Sequence, residues 1–372
     1  MTYYLIAGEA SGDLHGANLM KALKQQDADA KFRILGGDLM LAQGGDLVRH
    51  YSEMAFMGFV EVILNLRTIF RNLNHTKADL LAHKPDALIL IDFPGFNLKI
   101  AQFAKENNIK VFYYISPKVW AWNQKRVLKI QKVVDKMFCI LPFEVDFYKS
   151  WGMTVDYVGN PLLDAIFDFK PNGNFKQQHA LTGKALVALL PGSRKQEISR
   201  ILPEMLSITE GFPKYQFVIA GAPGFDEDFY KEIIGEKHVP VVYNQTYDLL
   251  ENSEAAIVAS GTATLETALF EIPQVVVYKG NPASIAIARL LVKIKYISLV
   301  NLIMDQPVVT ELIQEDCNVA SLTKELNAIL HDPLNRSQML INYQQLAEKM
   351  GEPGASAKTA RLIIETLKIN RF

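Results

Sequence analysis

The 372-residue sequence predicts an α/β protein of two doubly wound, Rossmann-like domains that face a cleft. Three observations lead there. Short apolar runs alternate with helical stretches along the chain, the order of strand–helix–strand units in an open parallel sheet. Several of these runs, such as ALILI at 87–91, are continuous and not alternating, as in a parallel strand covered on both faces. The same grammar then restarts after a stretch rich in Pro, Gly, Asn and Gln at 168–183, which reads as a linker.

In the first half, strands are expected at 3–7, 32–35, 87–91, 111–115 and 136–141, with a first helix near 13–24. In the second half, ALVALLP (185–191), FVIAG (217–221), AAIVAS (255–260) and QVVVYK (274–279) supply the next set. The tail after Gly354, with Ala360, Leu362, Ile363 and Leu367, has the spacing of an amphipathic helix. In open α/β sheets ligands bind at the carboxyl ends of the strands, so the loops after the strands are where function is sought.

Composition narrows the function classes. Lys and Arg total 39 and Asp and Glu 40, a formal net charge of −1. That balance excludes a globally basic nucleic-acid binder and a self-repelling acidic chain, and no nucleic-acid partner is expected. The two cysteines, Cys139 and Cys317, read as buried free thiols. The start lacks a basic leader with an apolar core, and no run of about 18 apolar residues occurs. The expectation is a soluble or peripheral cytoplasmic protein.

Four turns carry candidate chemistry. GEASGDLHG (8–16) follows the first strand; Gly8 and Gly12 allow close backbone approach, and Ser11 can cap the next helix. IDFPGFN (91–97) puts Asp92 at the end of a buried strand, where it can serve as a general base or simply cap the turn. LLPGSRKQE (189–197) offers Ser193 as a cap and Arg194 as a guanidinium for diphosphate oxygens, or for pairing with Glu197. ASGTATLE (259–266) sets Ser260, Gly261 and Thr262 at a helix N-terminus, with Glu266 four residues on; an anion and ribose site or an ordinary capped helix both fit. No HExxH, carboxylate cluster or G-x-S-x-G motif occurs, so neither a metal nor a cofactor is expected.

Two stretches suggest contact with anionic lipid. From Lys118 to Lys136 there are six basic residues and one acid; Lys125, Arg126 and Lys129 follow Trp120 and Trp122. From Met54 to Arg71, Met54, Phe56, Met57 and Phe59 lead an apolar run ending near Arg67. An acyl-chain groove, a membrane-touching surface, a plain core or a subunit interface would each use such residues.

Taken in order, GEASGDLHG, MGFVEV, IDFPGFN, YYISPKVWAWNQKRV, ILPFE, YVGNPL, LLPGSRKQE, ASGTATLE and YISLVNLI resemble the lipid-A-disaccharide synthases, from about residue 3 to about residue 320. The resemblance implies a GT-B glycosyltransferase fold whose final helix returns to the first domain. It implies a first domain of 1–165 plus about 350–372 on the acceptor and lipid side, and a second of 175–345 for the UDP-sugar. The implied reaction is inverting and metal-independent, from UDP-2,3-diacylglucosamine to 2,3-diacylglucosamine 1-phosphate (lipid X). Its products are UDP and a β-1,6 disaccharide 1-phosphate, a lipid A precursor. The implied location is the cytoplasmic face of the inner membrane of a Gram-negative bacterium.

By the same resemblance, Asp92 matches the catalytic carboxylate and Arg194 the arginine near the UDP diphosphate, with Ser193 beside it. Ser260, Gly261, Thr262 and Glu266 match the nucleotide-site turn, and Asn301 a position reaching the cleft. Gly8, Ser11 and Gly12 match the loop facing the sugar or the acceptor phosphate. Asn160, Gly95 and Val300 stand where His, Asp and Pro are frequent. The alternatives are another UDP-sugar enzyme of this fold, such as a UDP-N-acetylglucosamine epimerase or transferase, and a non-catalytic nucleotide-dependent scaffold. A homodimer that exchanges C-terminal helices is a candidate assembly.

Overall fold

A computed structural model of the chain describes residues 1–54, 66–181, 183–281 and 294–369. The chain divides into two compact units, Met1–Phe167 with Glu352–Phe372, and Asp168–Gly351. Each holds one parallel sheet.

Among the described residues, the first unit has seven strands: β1 (Thr2–Ala7), β2 (Lys31–Gly36), β3 (Asp46–His50), β4 (Ala87–Ile91), β5 (Lys110–Tyr114), β6 (Lys136–Cys139) and β7 (Asp156–Tyr157). Their order is β3-β2-β1-β4-β5-β6-β7, all parallel, with the direction of winding reversing between β1 and β4. The apolar runs are continuous because both faces are covered. Tyr4, Ile6, Leu88 and Leu90 enter one core. Tyr3, Leu5, Ala7, Ala87, Ile89 and Ile91 alternate into the core on the other face. The first core takes the helices Leu66–His83, Pro94–Glu106 and Val127–Val133. The second takes Ala10–Gln26 and the tail helix Ala355–Ile369.

The tail helix packs on its own chain. Ala360, Ile363, Ile364 and Leu367 share a core with Leu19, Met20 and Leu23. Asp164 accepts the Gly354 N–H, and the Lys358 ammonium bonds the Tyr157 carbonyl at 2.8 Å.

The second unit repeats the topology with six strands among the described residues: β8 (Ala185–Leu190), β9 (Tyr215–Gly221), β10 (Val241–Tyr243), β11 (Ser253–Ala259), β12 (Gln274–Tyr278) and β13 (Thr310–Ile313). The order β10-β9-β8-β11-β12-β13 is again parallel. Among the described residues, no helix is long and apolar enough to cross a membrane.

The structure adds four strands to those expected from sequence, and all four are outermost: β3, β7, β10 and β13. Their residues are mostly half-buried or exposed, so they present no continuous apolar run. The first helix also begins earlier, at Ala10.

One buried carboxylate ties the first helix to the loop after β2. Asp13 is 3% exposed and accepts the N–H groups of Gly37 (2.7 Å), Leu39 (3.0 Å) and Met40 (3.2 Å). Asp13→Ala leaves these donors without their acceptor and should destabilise the first unit by about 2–3 kcal/mol. A urea midpoint unchanged in the variant would refute this.

Candidate functional site

The loops at the carboxyl ends of β1, β4 and β5 are built around a backbone distortion. Asp92 and Phe93, directly after β4, both lie in the left-handed region, with φ of +43° and +48°. Ile115, after β5, has φ of +64°, which is unusual for a β-branched residue. Such conformations cost about 1–3 kcal/mol each and persist only where neighbours hold them. Here the holders are visible. The Asp92 carbonyl accepts the Tyr113 hydroxyl at 2.5 Å and Asn97 Nδ2 at 2.8 Å. Asn97, fully buried on the helix Pro94–Glu106, also reaches the Ile91 carbonyl at 3.3 Å. The Phe93 ring lies across Gly8, where an added Cβ would come within 2.2 Å of it. Gly8 is therefore required by a close approach from the Asp92 turn, which links two of the turns singled out in the sequence.

Burial dominates the electrostatics of Asp92. It pushes the carboxyl up to about 6, with the Glu9 carboxylate adding to the effect. Lys118 and the Phe93 N–H oppose it. A carboxylate in this range accepts a proton effectively near neutral pH. His15 is also affected by burial, which brings its imidazole down to about 4 and keeps it neutral.

Several expected residues stand differently. Glu9, not Ser11, is the N-cap residue of the first helix; the Ser11 hydroxyl lies in the first turn and donates to the Glu9 carboxylate at 2.9 Å. Gly12 packs against Ala7, where a Cβ would meet the Ala7 Cβ at 3.2 Å. Met54 and Trp120 are buried, not surface residues. Met54 belongs to the core, and Trp120 donates Nε1–H to the buried Glu144 at 3.3 Å. Trp122, by contrast, is 56% exposed and carries the Arg126 guanidinium over its ring at 5.4 Å. Arg67 and Lys125 are exposed and Lys129 is half-buried. The basic stretch is not one helix: it breaks into Val119–Trp122, a 3-10 turn at Gln124–Arg126, and Val127–Val133. Phe56, Met57 and Phe59 lie outside the described residues.

The two departures in this unit have structural accounts. Asn160 is buried, accepts the Leu162 N–H at 3.0 Å and donates to the Ile140 carbonyl at 3.2 Å, so it caps the helix Pro161–Asp168. A Cβ at Gly95 would meet nothing within 4 Å, so a larger residue fits there without repacking.

In the second unit, Pro191–Arg194 leaves the end of β8 and leads into the helix Lys195–Ser207. Arg194, not Ser193, is the N-cap residue. The Ser193 N–H bonds the Glu197 carboxylate at 3.2 Å, and that side chain fills the space beside Gly192, which has φ of +108°. Glu197 is thus committed to the backbone, and exposed Arg194 has no ion pair among the described residues.

Ser260 follows β11, and Gly261 and Thr262 open the helix Thr262–Leu269. Ser260 does not cap this helix; its hydroxyl donates to the Ile297 carbonyl at 2.9 Å. That contact joins it to Asn301. Glu311 accepts the Ile297 N–H (3.0 Å), the Ser298 N–H (2.9 Å) and Asn301 Nδ2 (2.9 Å). Asn301 is 1% exposed and also exchanges bonds with the Val309 carbonyl and N–H. Its amide therefore braces the loop and does not project from it. Glu266 accepts the Tyr247 hydroxyl at 2.9 Å; burial pushes its carboxyl up and the Tyr247 bond pulls it back.

Sequence reasoning missed Tyr113, Asn97 and Glu311, and offered Glu197 only as a partner for Arg194, whereas it accepts the Ser193 N–H. Asn97 and Glu197 lie inside quoted motifs, four to six residues from the residues they hold. Tyr113 and Glu311 act across the fold and leave no local signal. Among the described residues, no group of three or more His, Cys, Asp or Glu could hold a metal ion.

Comparison with known proteins places this architecture. Solved structures of the same fold include the UDP-GlcNAc 2-epimerase from Neisseria meningitidis bound to UDP-GlcNAc, at 13% identity and a TM-score of 0.66 over 100% of both chains. They also include CalG4, the calicheamicin glycosyltransferase, at 14% identity and 0.61 over 99% of this chain and 98% of that one. Sequence similarity is far greater elsewhere. The lipid-A-disaccharide synthase of Syntrophus aciditrophicus is 40% identical, covering 98% of this chain and 97% of its own. That of Geobacter metallireducens is 36% identical, covering 98% and 96%. The family model described as lipid-A-disaccharide synthetase matches residues 3–364, and this chain belongs to that family.

Proposed function

We propose that this chain is a glycosyltransferase that condenses UDP-2,3-diacylglucosamine with 2,3-diacylglucosamine 1-phosphate. The first unit would take the acceptor and the second the UDP-sugar. The acceptor 6-hydroxyl oxygen attacks the anomeric carbon as the bond from that carbon to the UDP diphosphate breaks. The configuration inverts, the hydroxyl proton passes to Asp92, and UDP leaves with the bond's electron pair. The observation that carries the reading is Asp92 itself, a half-buried strand-end carboxylate raised to about 6 and held by a braced, left-handed turn. Arg194 and the N–H groups opening the helices Lys195–Ser207 and Thr262–Leu269 would offset the charge growing on the diphosphate. The lipid substrates supply the reason for the exposed Trp122, Phe70 and Arg67, which offer apolar surface and positive charge to an anionic membrane.

Asp92→Ala should lower turnover by about 1,000-fold or more, read by mass spectrometry of the disaccharide product, while UDP still binds. Arg194→Ala should weaken UDP binding and turnover together. Near-normal turnover in the first variant, or unchanged UDP affinity in the second, refutes the corresponding role.

The pH dependence follows in sign from the raised Asp92. The base must be ionised, so kcat/KM should be flat above about pH 6 and fall about tenfold per unit below it. Glu9→Gln removes a negative neighbour and should move that limb to lower pH. A limb that stays in place would show that Glu9 does not act on the titrating group.

In flotation with phosphatidylcholine vesicles, binding should require added phosphatidylglycerol and decline with salt. Arg67→Glu with Arg126→Glu should release the protein. Binding to neutral vesicles as strong as to anionic ones would overturn the charged contact.

A further inference from the structure

Glu266 lies on the second turn of the helix Thr262–Leu269, and its carboxylate has one hydrogen-bonding neighbour among the described residues. That neighbour is Tyr247, on the helix Thr246–Glu251 that follows β10. Tyr247 is fixed in turn by two rings. Phe169 meets it edge-on with centroids 5.5 Å apart, and Phe270 lies tilted against it at 5.0 Å. Phe169 and Phe270 also meet each other edge-on at 5.6 Å, so the three aromatics form a closed cluster. A phenol locked in this way presents its O–H in one direction. It occupies Glu266 Oε1 and leaves Oε2 as an unspent acceptor.

We infer that Tyr247 is a positioning residue, which by holding Oε1 aims the free oxygen of Glu266 at the hydroxyls of a ribose. The inference rests on the nucleotide reading of the Ser260–Glu266 turn and goes further, assigning selectivity for ribose over deoxyribose to a residue outside that turn. Burial alone favours a protonated Glu266, and the Tyr247 bond counters this. In an ionised carboxylate each oxygen has two lone-pair sites, so Oε2 can accept from both hydroxyls of a vicinal diol while Oε1 takes the Tyr247 O–H.

The test is calorimetric binding of UDP and of 2′,3′-dideoxy-UDP to the full-length protein. Tyr247→Phe keeps the ring against Phe169 and Phe270 and removes only the hydroxyl. It should weaken UDP about five- to tenfold and leave the dideoxy compound within about twofold. Equal weakening of both ligands would make Tyr247 a purely structural residue and overturn the inference, as would no weakening of either. Glu266→Gln separates the two levels. If it abolishes the preference for UDP while Tyr247→Phe preserves it, the ribose reading stands and the positioning role falls. If Glu266→Gln leaves the preference intact, the ribose reading falls and the inference with it.

Discussion

The left-handed backbone at Asp92 and Phe93 is the constraint around which the first unit's loops are arranged. A parallel strand buried on both faces can deliver a carboxylate to its carboxyl end, but the next helix must start within a residue or two. The chain makes this turn with two non-glycine residues at positive φ. The distortion is stable because the freed Asp92 carbonyl meets two donors, Tyr113 from the adjacent strand and Asn97 from the helix it precedes. The same turn throws the Phe93 ring over the loop after β1, and only glycine at position 8 leaves room for it. One local geometry thus dictates three further residues, Tyr113, Asn97 and Gly8.

The second unit repeats the strand order of the first, and carboxylates brace loops in both. In the first, neutral donors hold the Asp92 carbonyl, and the Asp13 carboxylate holds the N–H groups of Gly37, Leu39 and Met40. In the second, carboxylates hold backbone N–H groups: Glu197 takes Ser193, and Glu311 takes Ile297 and Ser298 together with the Asn301 amide. A buried or half-buried carboxylate with several N–H partners is a strong anchor, because charge-assisted bonds are roughly twice as strong as neutral ones. Such an anchor also spends its charge on the backbone. Glu197 makes one such bond, to the Ser193 N–H, and among the described residues no ion pair with Arg194, three residues away.

What the sequence made legible follows from how locally each feature is encoded. The inner strands were readable because double-sided burial writes an unbroken apolar run, as at Ala87–Ile91. The edge strands β3, β7, β10 and β13 were not, since one flank meets solvent or a loop and the residue pattern becomes mixed. The motifs pointed to Asp92 and Arg194, which stand in strand-end loops, and to Glu266, on the helix after β11. They misassigned the helix caps. A Ser near a helix start reads as a cap in one dimension, yet Ser11 and Ser260 turn their hydroxyls to Glu9 and Ile297 instead. Trp120 and Trp122 show the same limit, because two tryptophans two residues apart on a single helical turn point to different surroundings. One is sealed against Glu144, and the other is exposed beneath Arg126.

The contrast between Asp92 and Arg194 has a physical logic under the proposed reaction. A general base must be tuned, and tuning a carboxylate upward requires desolvation and a rigid frame; Asp92 has both. A guanidinium needs no such tuning, since it stays charged under all working conditions. Burying it would add a desolvation cost with no gain in protonation state. What it needs is freedom to follow a diphosphate whose charge grows and which then departs. An exposed arginine at a helix start, with the Glu197 carboxylate three residues on bonded to the backbone, meets that need. The two groups that would carry the transfer therefore differ in burial because one has a pKa to set and the other does not.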